Sequence, residues 1–598
     1  KTLLLTLCIF MMVMTIYGWK AGKTTEEIYQ AFAKDGFISP TLETFEGKRG
    51  IVVRSANTTL FSDKSHKPAY YVEGTSYQQG YLMGLIATEE TNAMCTTYIE
   101  HELADLIDED FDEKHKDEAW YEVLLSLLRD LIVNGAIHSF ENDAASFPQH
   151  LLDEMKGLVD GVKSKLGSKS GVTFERLVTL NYGIDFLLAH VYAGKLKVAL
   201  DAYLQTQKRI VVSTAIRQRI DQAFAEERFI KEPVMCDSFT TKNHLNRDPS
   251  KIYFARDFQQ PNGMIFQKVA GMIVHVPEDN GIPFVGVGAP GMVGAITALN
   301  AKGVAIGVDI IRSALVNPEH PGVNSIFLVR HIGQFATSTR DAIQRVASLK
   351  RGCSWLYPIS DATGDSVIIE SGRYEEHQTN PLDVVTNKVV KSILPNEDTL
   401  KTYPSPWLKG IYYRDFNFTQ PQVILGYNRN LFSLAQVDYP EQGWGNLDFT
   451  FTTYTQENMK TASLLNNWFP AQRQWSHDYI ICANHALTPQ MRVAQMSNMA
   501  NFITRTQHAS SYRYDSLNKL IFDHKGTIDL EKAKYIISFL APDRTPGYFH
   551  HYYDPTNVMT AAVEGAITVC ELTERVMATK TGYFIDDWTQ ISLMNYLS

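Results

Sequence analysis

A chain of 598 residues is too long for one small domain. With 44% hydrophobic and 20% charged residues it has the composition of a globular protein, which excludes a fibrous or disordered chain. A formal net charge of −10 is mild for this size and excludes nucleic acid as the main partner.

The chain begins "KTLLLTLCIFMMVMTIYGWKAG", a lysine ahead of an apolar run from Leu3 to Met14, with small residues at Gly18 and Ala21. That run is shorter than the roughly 20 residues of a membrane-spanning helix. It fits the apolar region of a signal peptide, expected over residues 1–20. No later stretch holds about 18 uninterrupted apolar residues, so no stable membrane span is expected. The mature protein is expected to be secreted, or lysosomal or otherwise extracytoplasmic. In that setting the sequons "NTT" at Asn57 and "NFT" at Asn417 become glycosylation sites. Beyond Cys8 in the leader stand Cys95, Cys236, Cys353, Cys482 and Cys570, odd in number and widely spaced, which is not a disulfide framework.

Residues 21–235 read as a mostly helical segment. "YYVEGTSYQQGYLMGLIATEETNAMCTTYIEHELADLID", "AWYEVLLSLLRDLIVNGAIHSF" and "HLLDEMKGLVDGVKSKLG" place apolar residues three and four apart, the last ending on glycine. At Cys236 the pattern changes. "CDSFTT" and "KIYFARDFQ" are short β-type runs separated by the turn "KNHLNRDPS". "GMIVHVPEDNGIPFVGVGAPGMVGAITALNAKGVAIGVDII" continues as strands, "NSIFLVRHIGQFATSTRDAIQRVASL" returns to helical spacing, and "DATGDSVIIES" is a turn and a strand. Strands, then helices, then strands point to a layered α+β fold over residues 236–598 rather than a βαβ series. Residues 372–475, rich in Pro, Asn and aromatics, read as an insertion.

Cys236 is the chemical candidate. A nucleophilic thiol needs a base for its proton and donors for the oxyanion that forms. The preceding "EPVM" bears no likeness to the glycine-rich cysteine signature of papain-like enzymes. Cleaving the chain between Met235 and Cys236 would supply a base without a histidine, because a freed α-amine titrates near pH 8. The alternative is a buried core thiol. Elsewhere, His550 and His551 have no partner spacing for a metal, and "VGVGAPGMVG" lacks the Lys-Ser/Thr ending of a phosphate loop. No metal and no cofactor is expected.

From Cys236 onward the sequence resembles the penicillin acyltransferase-like family. This belongs to the cysteine N-terminal-nucleophile hydrolases, with choloylglycine hydrolase and acid ceramidase-type amidases as more distant kin. The resemblance rests on "CDSF" followed by "ARDFQ", on "ITALNAKGVAIGVD", on "DATGDSVIIE" from Asp361 to Glu370, and on "CANHALTP" followed by "SSYRYDSL". Upstream, "VEGTSYQQGYLMG" resembles the family's N-terminal glycine-spaced helix. No single motif is specific; their order is.

The resemblance implies a four-layer αββα sandwich with an added N-terminal helical segment. It also implies a zymogen that cuts itself between Met235 and Cys236 into fragments that stay associated. Cys236 would be the nucleophile, Arg256 would favour its thiolate, Asn484 would donate to the oxyanion, and Arg513 would brace the site. Asn387 rivals Asn484 as the oxyanion donor. Asp257, Asp309 and His485 are expected on substrate, with Asp309 alternatively holding the new α-ammonium. Two departures stand out. Gln259 occupies the place of a common family Asp, and Asp309 stands where the choloylglycine branch has an oxyanion Asn. The implied activity is hydrolysis or transfer of the acyl group of a small N-acyl amide or peptide-like substrate, through a Cys236 thioester. A phospholipase B-like lipid-ester hydrolase and a secreted binding protein with a disabled site are the alternatives.

Overall fold

The computed structural model describes residues 22–58, 66–102, 118–207, 212–225, 235–259, 263–279, 281–378, 407–420, 422–434, 469–470, 472, 474–495, 510–538, 562–583 and 587–597. Residues 1–20, where a signal peptide is expected, and Asn387 lie outside them.

In chain order the strands begin with β1 (Phe37–Phe45), β2 (Lys48–Thr58) and β3 (His66–Gly74). The hairpin of β4 (Met235–Thr241) and β5 (Tyr253–Gln259) follows. Then come β6 (Gly271–Pro277), β7 (Phe284–Gly288), β8 (Thr297–Asn300), β9 (Ala305–Gly307), β10 (Asp309–Ile310), β11 (Trp355–Ser360) and β12 (Ser366–Ser371). The last are β13 (Trp407–Leu408), β14 (Ile411–Asp415), β15 (Tyr479–Ala483), β16 (Ala562–Glu571), β17 (Val576–Tyr583) and β18 (Thr589–Ser592). Two sheets result. One has twelve strands in the order β1-β2-β3-β6-β7-β8-β9-β11-β12-β14-β13, with β10 also on β11. The other has six, in the order β15-β4-β5-β16-β17-β18.

The sheets stack face to face, because alternate residues of each strand are apolar toward the partner sheet. Val285, Val287 and Leu299 of the first sheet share a buried cluster with Phe254, Ala566, Cys570 and Met577 of the second. The opposite faces carry helices. Outside the first sheet lie α1 (Ser76–Ile86), α2 (Ala119–Asp143), α3 (Gln149–Leu166), α4 (Phe174–Tyr192) and α5 (Ser325–Phe335), packed on residues such as Tyr70, Val72 and Phe284. Outside the second lie α6 (Ser510–Asp523) and α7 (Leu530–Ser538), packed on Phe239, Ala255, Ile567 and Val569. The fold is the expected four-layer αββα sandwich.

The N-terminal segment holds more than the helices read from its sequence. It also supplies β1–β3, and β3 pairs in parallel with β6. "KPAYYVEG" misleads because a strand buried on both faces reads as a continuous apolar run, without the alternation that marks a half-exposed strand. Here Tyr70 and Val72 face the helices while Ala69 and Tyr71 face the second sheet. The glycines of "SYQQGYLMG" serve close helix packing. A β-carbon on Gly80 would stand 2.0 Å from the Glu154 carbonyl oxygen, and one on Gly157 of α3 would stand 2.0 Å from that of Tyr77. Backbones of α1 and α3 therefore touch, and larger residues would force them apart. By length and composition α2 could cross a membrane; its Leu124, Leu128 and Ile132 are buried in the core. Within the 372–475 stretch, β13 and β14 form a hairpin that extends the first sheet on β12. Asn57 and Asn417 are exposed.

Candidate active site

Cys236, the second residue of β4, is fully buried. In this strand 236, 238 and 240 face the first sheet, as the Thr240 hydroxyl at 2.6 Å from that of Ser360 shows. Residues 237 and 239 face α6 and α7. The backbone N–H of Cys236 points toward β15, whose pairing with β4 ends at Ala483 opposite Asp237. One residue further, the Asn484 side chain replaces the missing ladder acceptor. Its Oδ1 takes the Cys236 N–H at 2.8 Å, and its Nδ2 donates to the Ile310 carbonyl at 2.8 Å. Arg513 reaches over from α6. Its Nη2 donates to the same Asn484 Oδ1 at 2.6 Å. Its Nη1 donates to the Cys236 carbonyl at 3.0 Å and to Asp237 Oδ1 at 2.8 Å.

Arg256 lies on the thiol's side of β5. Its Nε pairs with Asp309 Oδ1 at 3.1 Å, both side chains being fully buried. Its Nη1 donates to the Ile296 carbonyl and the Thr297 hydroxyl, each at 3.0 Å. The guanidinium fits because β9 ends in glycine: a β-carbon on Gly307 would lie 2.4 Å from Arg256 Cδ. Two polar atoms of this pair are left open among the described residues: Arg256 Nη2 has no acceptor and Asp309 Oδ2 no N–H or O–H donor; the Cys482 thiol faces Asp309. Burial pushes the Cys236 thiol up to about 12. Asp309 and Asp257 add to that rise, while the Arg256 guanidinium and the Ile310 backbone N–H oppose it. The Ile310 amide is a site group that no residue pattern announces, since any side chain can follow Asp309 and leave its N–H in place.

Other expected residues take different places. Asp257 sits across from Asp237 on the outer face of β5, the side opposite Arg256. Neither of its carboxyl oxygens has a hydrogen-bond partner among the described residues, and burial together with Asp237 holds its carboxyl well above the usual range. Burial also pushes Asp237 up to about 6 despite Arg513. Three buried carboxyls therefore share two guanidiniums, and Asp257 is the one of the three that neither guanidinium hydrogen-bonds. His485 turns to the helix side, its Nδ1 2.7 Å from the Ser510 hydroxyl and its ring edge-on to Tyr514. Asp257 and His485 are thus not on the thiol's face, contrary to expectation. Asn484 also differs from expectation, because its NH₂ is committed to Ile310 and its oxygen faces the Cys236 nitrogen. Gln259 enters the site by its backbone, opposite Met235.

The "DATGDSVIIE" motif supports this arrangement from below. Glu370 accepts the Leu487 N–H at 2.8 Å and the Thr488 N–H at 3.1 Å, fixing the loop that follows Asn484. Arg414, from β14, pairs with Glu370 at 3.3 Å and donates to the Ile481 carbonyl at 2.7 Å. Among the described residues no group of His, Cys, Asp and Glu side chains is placed to hold a metal ion.

A buried cysteine at the head of a strand inside an αββα sandwich, its nitrogen held by a side-chain oxygen, is the architecture expected of a cysteine N-terminal-nucleophile hydrolase. Residues 264–406 match the family described as acyl-coenzyme A:6-aminopenicillanic acid acyl-transferase. That match supports the resemblance read from the sequence; the matched span begins after Cys236 and Arg256. A curated relative, an uncharacterised protein of Archaeoglobus fulgidus, is 24% identical over 594 residues, 99% of this chain and 72% of its own length. Among solved structures, a variant of the conjugated bile acid hydrolase of Clostridium perfringens shares 11% identity at a TM-score of 0.27, covering 60% of this chain and 92% of that one. Penicillin V acylase from Agrobacterium tumefaciens shares 9% at a TM-score of 0.27, covering 58% and 83%.

Proposed function

We propose that the protein is a self-activating cysteine amidohydrolase or acyltransferase that cleaves the C–N bond of a small N-acyl amide. The observation that carries this reading is the Asn484 oxygen on the Cys236 nitrogen. A strand's first N–H is ordinarily held by a ladder carbonyl. A side-chain oxygen can hold that nitrogen equally well as a peptide N–H and as the free amine left by cleavage after Met235.

Self-cleavage starts with attack of the Cys236 sulfur on the Met235 carbonyl carbon. The C–N bond breaks, the acyl group passes to sulfur, and the nitrogen takes up a proton. Water then hydrolyses the thioester and leaves Cys236 with a free α-amine. In the mature site this amine takes the thiol proton, the thiolate attacks the substrate acyl carbon, and the amine returns the proton to the leaving nitrogen. Arg513 holds the same Asn484 oxygen, so a positive charge stands beside the new amine. A like charge disfavours the ammonium and keeps the amine in its basic form. Arg256 Nη2 and Asp309 Oδ2, one donor and one acceptor, are the buried groups left open for the substrate's polar atoms. The resulting thioester is resolved by water or by an acceptor amine.

The test is N-terminal sequencing of purified protein with an assay on N-acyl amides. Wild type is expected as two associated fragments, the second beginning Cys-Asp-Ser-Phe, and Cys236→Ala as one inactive chain. An active wild type that is a single uncut chain would refute the mechanism.

A further inference from the structure

One side chain of the N-terminal segment reaches farther toward this site than its position on a remote helix suggests. Asn181, on α4, is buried, at 3% exposure. Its Oδ1 accepts the N–H groups of Val293 and Gly294 at 2.8 and 3.2 Å. Its Nδ2 donates to the Gly291 carbonyl at 2.9 Å and to Leu177 of its own helix at 2.9 Å. These three loop groups belong to "APGMVG" between β7 and β8, a turn with no ladder partner for them. Gly291 has a φ of +97°, and a β-carbon there would lie 3.0 Å from Leu180 Cδ2. The loop is thus clamped on α4 by hydrogen bonds and by close contact. Two residues after Gly294 come the Ile296 carbonyl and then the Thr297 hydroxyl, the two acceptors of Arg256 Nη1.

Neighbouring contacts fasten the same segments. Asp185, one turn on from Asn181, accepts from the Ser325 hydroxyl at 2.7 Å and from Trp355 Nε1 at 2.8 Å. Asp143 accepts the Gly322 N–H at 3.1 Å. Among these contacts only the Asn181 clamp continues into the acceptors of Arg256. Ion pairing with Asp309 fixes one side of that guanidinium, and the loop fixes the other.

We propose that Asn181 is a positioning residue of the active site: through the 291–297 segment it sets the Arg256 guanidinium against the Cys236 thiol. The inference rests on Cys236 being the nucleophile. It makes the N-terminal fragment a working part of the mature enzyme, not a leader dispensed with after the cut, because the fragment carries the residue that clamps one of the two supports of Arg256.

The experiment measures the pH dependence of Cys236 alkylation by iodoacetamide, with turnover followed in parallel, for wild type, Asn181→Ala, Arg256→Gln and the double variant. A nearby cation lowers a thiol pKa, and thiolate is the reacting form. Asn181→Ala is expected to carry the profile to higher pH. Below the thiol pKa the rate should fall roughly tenfold for every pH unit that the profile moves. The effect should vanish when Arg256 is already Gln. A merely structural asparagine would lower the melting temperature and leave the profile in place. A wild-type profile in Asn181→Ala, or a displacement that adds in full to that of Arg256→Gln, overturns the proposal. If Asn181→Ala does not fold, Asn181→Ser decides, because it adds no charge and is too short to hold the Gly291 carbonyl together with the Val293 and Gly294 N–H groups. An upward displacement then supports the proposal and an unchanged profile overturns it. Wild type that keeps full turnover after Cys236 is alkylated would instead remove the nucleophile reading itself.

Discussion

The Arg256–Asp309 pair permits a test that separates its structural part from its chemical one. Both side chains are fully buried and joined at 3.1 Å. Removing one partner strands the other's charge in the interior, which costs roughly 3–5 kcal/mol, whereas replacing both is often close to neutral. In a Cys236→Ala background, expected to remain one chain, Arg256→Gln and Asp309→Asn should each lose about that much by chemical denaturation. The double variant should lose far less than the sum, giving a coupling energy of about 3 kcal/mol or more. In chains that keep Cys236, the two single changes should move the thiol in opposite directions. Arg256 pulls the thiol pKa down and Asp309 pushes it up. Arg256→Gln is therefore expected to carry the alkylation profile to higher pH and Asp309→Asn to lower pH. Additive stability losses of roughly 6–10 kcal/mol, twice the single cost, would show that the pair does not act as a unit. Thiol displacements of the same sign would show that charge at this pair does not govern Cys236.

Much of this site is legible in the sequence, for reasons that differ from residue to residue. Cys236, its turn and Arg256 stand in a hairpin whose runs and breakers are local, and local chemistry is what a sequence displays. The period of two along β5 also tells, without any structure, that Arg256 and Asp257 face opposite ways; the motif position that points Asp257 at substrate conflicts with that alternation, and the alternation wins. The placement of Asn484 and Arg513 rests on the resemblance alone, since over two hundred residues separate them from Cys236. Which end of the Asn484 amide meets the nucleophile depends on where β15 stops pairing with β4, a tertiary fact. The Ile310 N–H is backbone and leaves no trace in residue type. Asn181 looks like an ordinary polar residue inside an amphipathic helix, because the groups it satisfies are more than a hundred residues away. The β3 strand passes for helix because burial on both faces erases the period that tells the two apart.

Two further outcomes are expected. Asn484→Asp keeps an acceptor for the Cys236 nitrogen and for Arg513 but loses the NH₂, so it should still self-cleave, with its activity optimum moved to higher pH by the added negative charge beside the amine. Asn484→Ala should fail at both; equal loss in the two variants, read by gel and turnover, would return the amide to the oxyanion role. The last outcome concerns Asp185, whose two hydrogen bonds join α4 to Ser325 and Trp355. Burial pushes its carboxyl from 3.8 up to about 7. A carboxyl raised in the fold contributes stability that is whole below its unfolded pKa and is lost as pH rises toward the folded one. Between those values the unfolded chain has released the proton while the folded chain still holds it. Asp185→Asn keeps an oxygen for Trp355 Nε1, turns its NH₂ to the Ser325 hydroxyl oxygen, which can accept as well as donate, and removes the titration. Its stability relative to wild type, measured by denaturation in the Cys236→Ala background, should therefore climb from about pH 4 to about pH 7 and then level off. At about 1.4 kcal/mol per pH unit the climb amounts to at most about 4 kcal/mol. A difference that stays constant across that window would mean that Asp185 is ionised within the fold, held by its two donors in spite of burial.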